Sequence, residues 1–437
     1  MIETTPAPLE EYLQLHPADL ADRLQRLDAD ESETLLRALP AKKVAAALAE
    51  VEEDRLPDFL GTFDATQLAE ILAHIAPDSA ADLLQQLPPG TRRETLSRLP
   101  AEFAEGVRRL LRYPEDTAGG VMTNRFIALR DEMTVEQVRE LLRGRAQEER
   151  TEDIAYLYVT DAAQHLVGVV SLRDLVFRRE GRRMNEIVNR DVKFVRVDTD
   201  QENLVQQFER YHYLGLPVLD AEDRLVGAVK ASDALEVAAR EATEDMQLMV
   251  GLSGEEHALT PWQQSIRGRL PWLYINLATA LVAAFVVGLF ENTIARWTAL
   301  AVFLPTIAGQ GGNAGMQTLT VIIRDLALGE ITQGDGRRAL VKEMTLGLLN
   351  GLAIGLAVGL IGWFWKGSVL MGVVAGAAML LNQLSAAAAG VMIPLGLKSL
   401  RLDPALASSI FLTTVTDVAG FFFFLGLATL GLKWMAV

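Results

Sequence analysis

Cysteine is absent from the 437 residues, and histidine occurs only five times. No disulfide can form, and no thiolate or histidine-rich cluster is available to hold a soft metal. The first residues, Met1-Ile2-Glu3-Thr4-Thr5, lack a basic stretch followed by an apolar one. No secretory leader is expected, so the charged part of the chain is expected in the cytosol. Basic residues are in deficit, 41 against 57 acidic, for a net charge of −16, which argues against nucleic acid as a partner. A nucleophile–base pair is missing, and the glycine-rich run at 309–315 lacks the Lys-Ser/Thr ending of a phosphate loop. An enzyme is therefore not the expectation.

Charge is also scarce in one half of the chain. Up to about residue 256 the sequence is strongly charged, and from 270 on it is apolar. The expected fold is multidomain: an all-α superhelical domain, a tandem α/β region, a long connecting helix and an α-helical membrane domain of five spans. The expected boundaries are 1–113, 114–181, 182–238, 239–264 and 265–437.

Residues 5–112 read as short helices punctuated by proline. The pattern Pro-x-x-x-Ala-Asp-x-Leu occurs at Pro17, Ala21, Asp22, Leu24 and again at Pro77, Ala81, Asp82, Leu84. Proline and acid both suit a first helical turn. Asp78 and Asp82, at i and i+4, share a face, as a metal-binding pair or as an ordinary charge pair. A second repeat is stronger. Leu166-Val167-Gly168-Val169-Val170 matches Leu225-Val226-Gly227-Ala228-Val229, and Asp174 matches Asp233, all at one offset. Alternating apolar residues predict strands near 156–159 and 216–219, each followed by a second strand and a helix. Thr134 is placed to cap another helix.

This tandem unit resembles a pair of cystathionine-β-synthase (CBS) domains, a regulatory module that often binds adenine nucleotides. The resemblance rests on length, offset and Gly168-Val169-Val170-Ser171-Leu172-Arg173-Asp174. It implies that Ser171 and Asp174 meet phosphate and ribose. Lys230 replaces the hydroxyl in the second repeat. The alternative is that Asp174 and Asp233 only cap their helices.

Five apolar stretches follow, at 270–290, 297–323, 344–365, 369–397 and 406–435, each near the roughly 20 residues a spanning helix needs. Arg267, Arg269, Arg324, Arg337, Arg338, Lys342, Lys398 and Arg401 fall on one side of these spans. The soluble region is thus expected in the cytosol and the C-terminus outside, in a cell (inner or plasma) membrane. In the second stretch Pro305 and the run Gly309-Gln310-Gly311-Gly312-Asn313-Ala314-Gly315 predict an interruption, lining a path. Close packing through small residues is the alternative. Asp417 falls deep in the last stretch, beside Thr413, Thr414 and Thr416. A carboxylate there is costly and points to a hard cation, or to a buried hydrogen bond. One carboxylate per chain is thin for a dehydrated ion and would suffice for a hydrated ion shared by two chains. Asp403 is a second acidic station or a helix N-terminal residue.

The whole chain resembles the MgtE family of magnesium channels. The signatures are Glu115-Asp116-Thr117-Ala118-Gly119-Gly120, Gly311-Gly312-Asn313-x-Gly315, Asp403-Pro404-Ala405-Leu406 and Thr416-Asp417-Val418-x-Gly420. The resemblance implies a homodimer in the lipid bilayer with a pore on the dimer axis, and Asp417 as the selectivity carboxylate. Asn313, Gly312, Thr416 and Asp403 are implied around the path. It implies regulatory Mg2+ at Asp78 and Asp82, at Asp200, Glu202 and Asp233, and at Glu244 and Asp245. It implies ATP at the first CBS repeat, on Tyr156, Ser171, Arg173 and Asp174. The sequence departs from the pattern at Ser409, Met316 and Ala46. Two rivals stay open: a CBS-regulated carrier of another divalent cation or solute, and a membrane sensor of nucleotide or metal without transport.

Overall fold

In the computed structural model all residues are described except 1–8, 53–54, 149–155, 180, 255, 259 and 436–437. The start of the N-terminal segment and Glu255 of the connector therefore lie outside the described residues. Two compact units are present, Met1–Ala239 and Arg240–Val437.

The first unit opens with short helices. The two proline-led motifs begin helices α1 (Pro17–Arg26) and α2 (Pro77–Gln85). Proline occupies the first turn, where its missing N–H is not needed. The face carrying Leu20, Ala21 and Leu24 is buried, as is that carrying Ala80, Ala81 and Leu84, while Asp22 and Asp82 are exposed. These apolar faces join one hydrophobic core.

Two three-stranded sheets follow. β1 (Ala128–Arg130), β2 (Tyr156–Thr160) and β3 (Leu166–Ser171) form one, with β1 parallel and β3 antiparallel to β2. After β3 comes α3 (Leu172–Phe177). The second sheet has β4 (Val195–Arg196), then α4 (Gln201–Tyr211), β5 (Gly215–Leu219) and β6 (Leu225–Lys230) in the same arrangement. The sequence repeat is reproduced in register: Leu157 pairs with Val170, and Leu216 with Val229. The hairpin turns place Gln164 and Asp223 in the left-handed region, at φ 68° and 62°. Those turns meet each other, with Leu225 N–H donating to Gln164 O at 3.0 Å. Thr134 caps the helix Val135–Glu148 in a reciprocal pair with Gln137.

Helix α5 (Ala231–Met249) begins in the first unit and ends in the second. The second unit then contains α6 (Trp262–Gly288), α7 (Leu304–Ala327), α8 (Gly336–Lys366), α9 (Val369–Ser399) and α10 (Ser408–Met435). Four of these, α6, α8, α9 and α10, are long and apolar enough to cross a membrane. α7 has 24 residues, enough to span. Its amides lower its hydropathy.

The expected interruption inside the second stretch is not where the sequence placed it. The chain breaks before α7, in a short helix (Glu291–Arg296) and a 3-10 turn (Thr298–Val302). Pro305 sits in the first turn of α7, where it breaks nothing, and the helix runs unbroken through Gly309–Gly315. Two of these glycines serve contact instead. A Cβ at Gly311 would overlap the Asn382 amide on α9, and one at Gly315 would lie 2.7 Å from a Leu412 methyl on α10. The same device operates between α8 and α9, where a Cβ at Gly355 would come within 2.7 Å of the Gly376 carbonyl oxygen.

Candidate functional site: a carboxylate among membrane helices and acidic faces in the first unit

α7, α9 and α10 pack against one another around Asn382. This amide is fully buried, donates to Ile307 O at 2.9 Å and lies under both Gly311 and Gly420. It ties the first half of α7 to α10 and was not singled out from the sequence. The signal was available as Leu381-Asn382-Gln383, two amides in the middle of an apolar run.

On this frame Asp417 lies on α10, half-buried, with no hydrogen-bond or ion-pair partner among the described residues. Thr416 beside it is fully buried, and its hydroxyl donates to Thr413 O at 3.1 Å. The same hydroxyl oxygen lies 4.0 Å from where a Gly312 Cβ would stand, so Gly312 and the Thr416–Asp417 turn are neighbours. Asn313 is one residue further on and exposed. It falls in a stripe of exposed polar residues along α7: Thr306, Gln310, Asn313, Gln317 and Thr320, spaced by three or four. In a bilayer such a stripe with a charged neighbour requires water or another polar surface against it.

Asp403 is not in α10. It sits in the preceding turn, half-buried, and accepts from Ala405 N–H at 2.6 Å. The same turn receives the end of α5. Ala407 N–H donates to Leu248 O at 2.8 Å, and the Ser409 hydroxyl donates to Met249 O at 2.5 Å. Leu248 and Met249 pack on Leu319, Ala405 and Leu412. The connecting helix is thus bonded to the root of the helix that carries Asp417. Glu244 and Asp245, half-buried, lie about one turn earlier on α5.

In the first unit, Asp78 and Asp233 come together. One carboxylate oxygen of Asp78 is buried without a partner. Asp233 is raised above the ordinary carboxylate range, first by burial, with the nearby Asp78 charge adding to it against Ser232 and Lys230. Asp82 is exposed on the next turn of α2. Asp200 caps α4, accepting from Glu202 N–H at 2.9 Å, and Glu202 is exposed.

Ser171 and Asp174 engage each other. The Ser171 hydroxyl donates to Asp174 Oδ2 at 2.7 Å and accepts from Asp174 N–H at 3.1 Å, a helix cap for α3. Arg173 is exposed. Tyr156 lines a cavity of about 70 Å³ with Asn189, Asp191, Lys193 and Tyr213. Of the four residues expected at a nucleotide, Tyr156 alone borders this cavity.

Membrane-length helices joined to a paired α/β module define a multi-pass membrane protein with a soluble N-terminal region. Comparison with known proteins gives the family. Residues 304–427 match the model of a divalent cation transporter, 15–116 that of the MgtE intracellular N domain, and 118–181 and 184–240 that of the CBS domain. The magnesium transporter MgtE of Thermus thermophilus is 36% identical over 97% of this chain and 95% of its own length. The magnesium transporter MgtE of Enterococcus faecalis is 33% identical over 97% and 94%. A crystal structure of the cytosolic domain of the Mg2+ channel MgtE with ATP is 37% identical, covers 52% of this chain and 93% of that one, and has a TM-score of 0.49. The chain belongs to the MgtE family of magnesium transporters.

Proposed function

We propose that the protein carries Mg2+ into the cytosol along a path lined by α7 and α10, with Asp417 as the carboxylate that holds the hydrated ion. The observation that carries this is an unpartnered Asp417 on a membrane helix, beside the polar stripe of α7. Mg2+ surrenders water reluctantly and suits oxygen donors, which here are a carboxylate, hydroxyls and amides. Both the stripe and Asp417 are incomplete in one chain, so a homodimer closes the path between two copies of α7 and α10. The membrane potential drives entry by about 2.3 kcal/mol per charge per 100 mV.

Cytosolic Mg2+ closes the path by bridging acidic faces. Asp78 and Asp233 supply two facing carboxylates, one with an oxygen that lacks a donor. Asp82, Asp200 and Glu202 in the first unit, and Glu244 and Asp245 in the second, are the further carboxylates offered to the metal. Metal selects the closed arrangement because it binds that arrangement better. ATP acts at the first CBS repeat, where the Tyr156 cavity and the Ser171–Asp174 turn supply an aromatic wall and polar groups.

The test is Mg2+ flux in proteoliposomes, wild type against Asp417→Ala, with internal Mg2+ varied. Flux that falls to the protein-free level with the protein still folded is the expected result. Unchanged flux returns Asp417 to a structural role. Proton-dependent uptake would favour a coupled carrier.

A further inference from the structure

A second acidic group lies in the membrane helices, and the proposed path does not use it. Glu343, near the start of α8, is 5% exposed. One carboxylate oxygen accepts from the Thr318 hydroxyl at 2.8 Å, and the other lies 3.1 Å from Lys342 Nζ. It borders a cavity of about 180 Å³, also lined by Gln317, Thr318, Asn350 and Gln383. Gln383 is 3% exposed, and its amide oxygen has no hydrogen-bond partner. Buried amide oxygens seldom go unpaired.

The geometry points to this cavity as a second cation station, one that takes a hydrated divalent ion. The polar groups of the wall are one carboxylate, one hydroxyl and three amides, with the Lys342 ammonium paired to the carboxylate and apolar side chains between them. That set suits a hard cation that keeps its water. Water on a cation donates outward, which gives the Gln383 amide oxygen and the Glu343 carboxylate the donors they lack or share. The cavity has room for several waters at roughly 30 Å³ each. Lys342 supplies the positive charge when no ion is present, and its side chain, 62% exposed, is free to swing outward when one arrives. Asn350, exposed on the same face of α8, extends the polar wall further along the span.

The station is displaced along α7 from the level of Asp417. Gly312 neighbours Thr416, and Thr318 lies six residues later, about 9 Å toward the loop between α7 and α8. An ion there stands at the end of the unit where the basic residues Arg324, Arg337 and Arg338 cluster. It would compete with Lys342 for the carboxylate. The proposal deepens the reading of this unit as a cation path and rests on it for its function, though not for binding.

The absence of cysteine makes the test direct. Leu346 lines the cavity and is exposed, so Leu346→Cys in the full-length chain accepts a single trifluoromethyl label. The measurement uses Mn2+ as probe and Asp417→Ala as background, so that no ion sits at Asp417. Mn2+ should broaden the fluorine resonance, and excess Mg2+ should restore it. Glu343→Gln, nearly isosteric, should raise the Mn2+ concentration for half-broadening about tenfold or more, and Gln383→Met should raise it less. Absence of broadening in the parent overturns the proposal, as does the same half-point in Glu343→Gln. If Glu343→Gln does not fold, Gln383→Met decides: an unchanged half-point overturns the station. A station confirmed while Asp417→Ala leaves flux intact would sink the Asp417 path and spare this site. Lost flux with no Mn2+ effect at Glu343 would do the reverse.

Discussion

Carboxylates in the first unit are numerous, and most are exposed; those in the spans of the second unit are few, and they stand in helices that are otherwise mostly apolar. At the surface a carboxylate costs little and is worth little alone. In the first unit the informative carboxylates are therefore the ones forced together, Asp78 and Asp233. Within the helices of the second unit, a carboxylate must have a reason to be there. Glu343 has two protein partners and Asp417 has none among the described residues. On the function proposed above, the first kind would sense an ion by mutual repulsion and the second would meet an ion one carboxylate at a time.

The largest expected effect tests the membrane side of that contrast. Asp417→Ala should remove Mg2+ flux in proteoliposomes, whereas Asp82→Ala, on the exposed face of α2, should leave the unregulated flux at its wild-type level. Next is regulation. Asp78→Asn with Asp233→Asn should raise the internal Mg2+ needed for half-closure about tenfold, read as flux against internal Mg2+. An unchanged half-point would mean that the first unit's forced pair is not the sensor.

Packing gives a smaller effect. Gly311→Ala drives a methyl into the Asn382 amide and should cost about 1–3 kcal/mol, seen as a lower unfolding temperature. Gly309→Ala, with open space at its Cβ position, should be neutral or stabilising by up to about 1 kcal/mol. Equal effects would show that the glycine run serves flexibility rather than contact. The smallest effect is the titration of Asp233. Its carboxyl is raised in the folded state, so the folded state holds that proton more tightly. Without metal, its contribution to stability is full below the ordinary carboxylate value and is lost as pH rises through the raised one. Hydrogen exchange at amides 230–237 should slow as pH-corrected conditions become acidic, and Asp233→Asn should abolish that trend.

Much of the fold was legible because repetition and hydropathy are local signals. The offset between the two α/β repeats is written in the chain and reappears in strand register and in the left-handed residues of both hairpins. The apolar runs gave the four helices α6, α8, α9 and α10 within a few residues at most ends. α7 was misread. Proline and glycine look alike as breakers in a sequence, but Pro305 stands where a helix tolerates it, and the glycines meet neighbours that only the fold supplies. The same limit hid Glu343, which lies at the edge of an apolar run and becomes buried only when Thr318 and Gln383 close over it. Sequence spacing pairs Asp78 with Asp82, four residues on, and gives no sign that Asp233, far along the chain, also comes within its electrostatic reach.

The junction between α5 and α10 has a mechanical meaning. A helix ends with carbonyls that lack donors. The Leu248 carbonyl accepts from Gly251 N–H and takes the Ala407 amide as a second donor, and the Met249 carbonyl is met by the Ser409 hydroxyl, at the threshold of α10. Parting the two helices therefore breaks two hydrogen bonds, a toll of about 1 kcal/mol each. That is small enough for a bound ion to set or release, yet large enough to count. Such a latch also works in reverse: whatever favours one posture of α10 must favour the matching posture of α5 by the same free energy. If Asp417 holds an ion as proposed, an ion that favours one posture of α10 favours the matching posture of the end of α5 by that same amount.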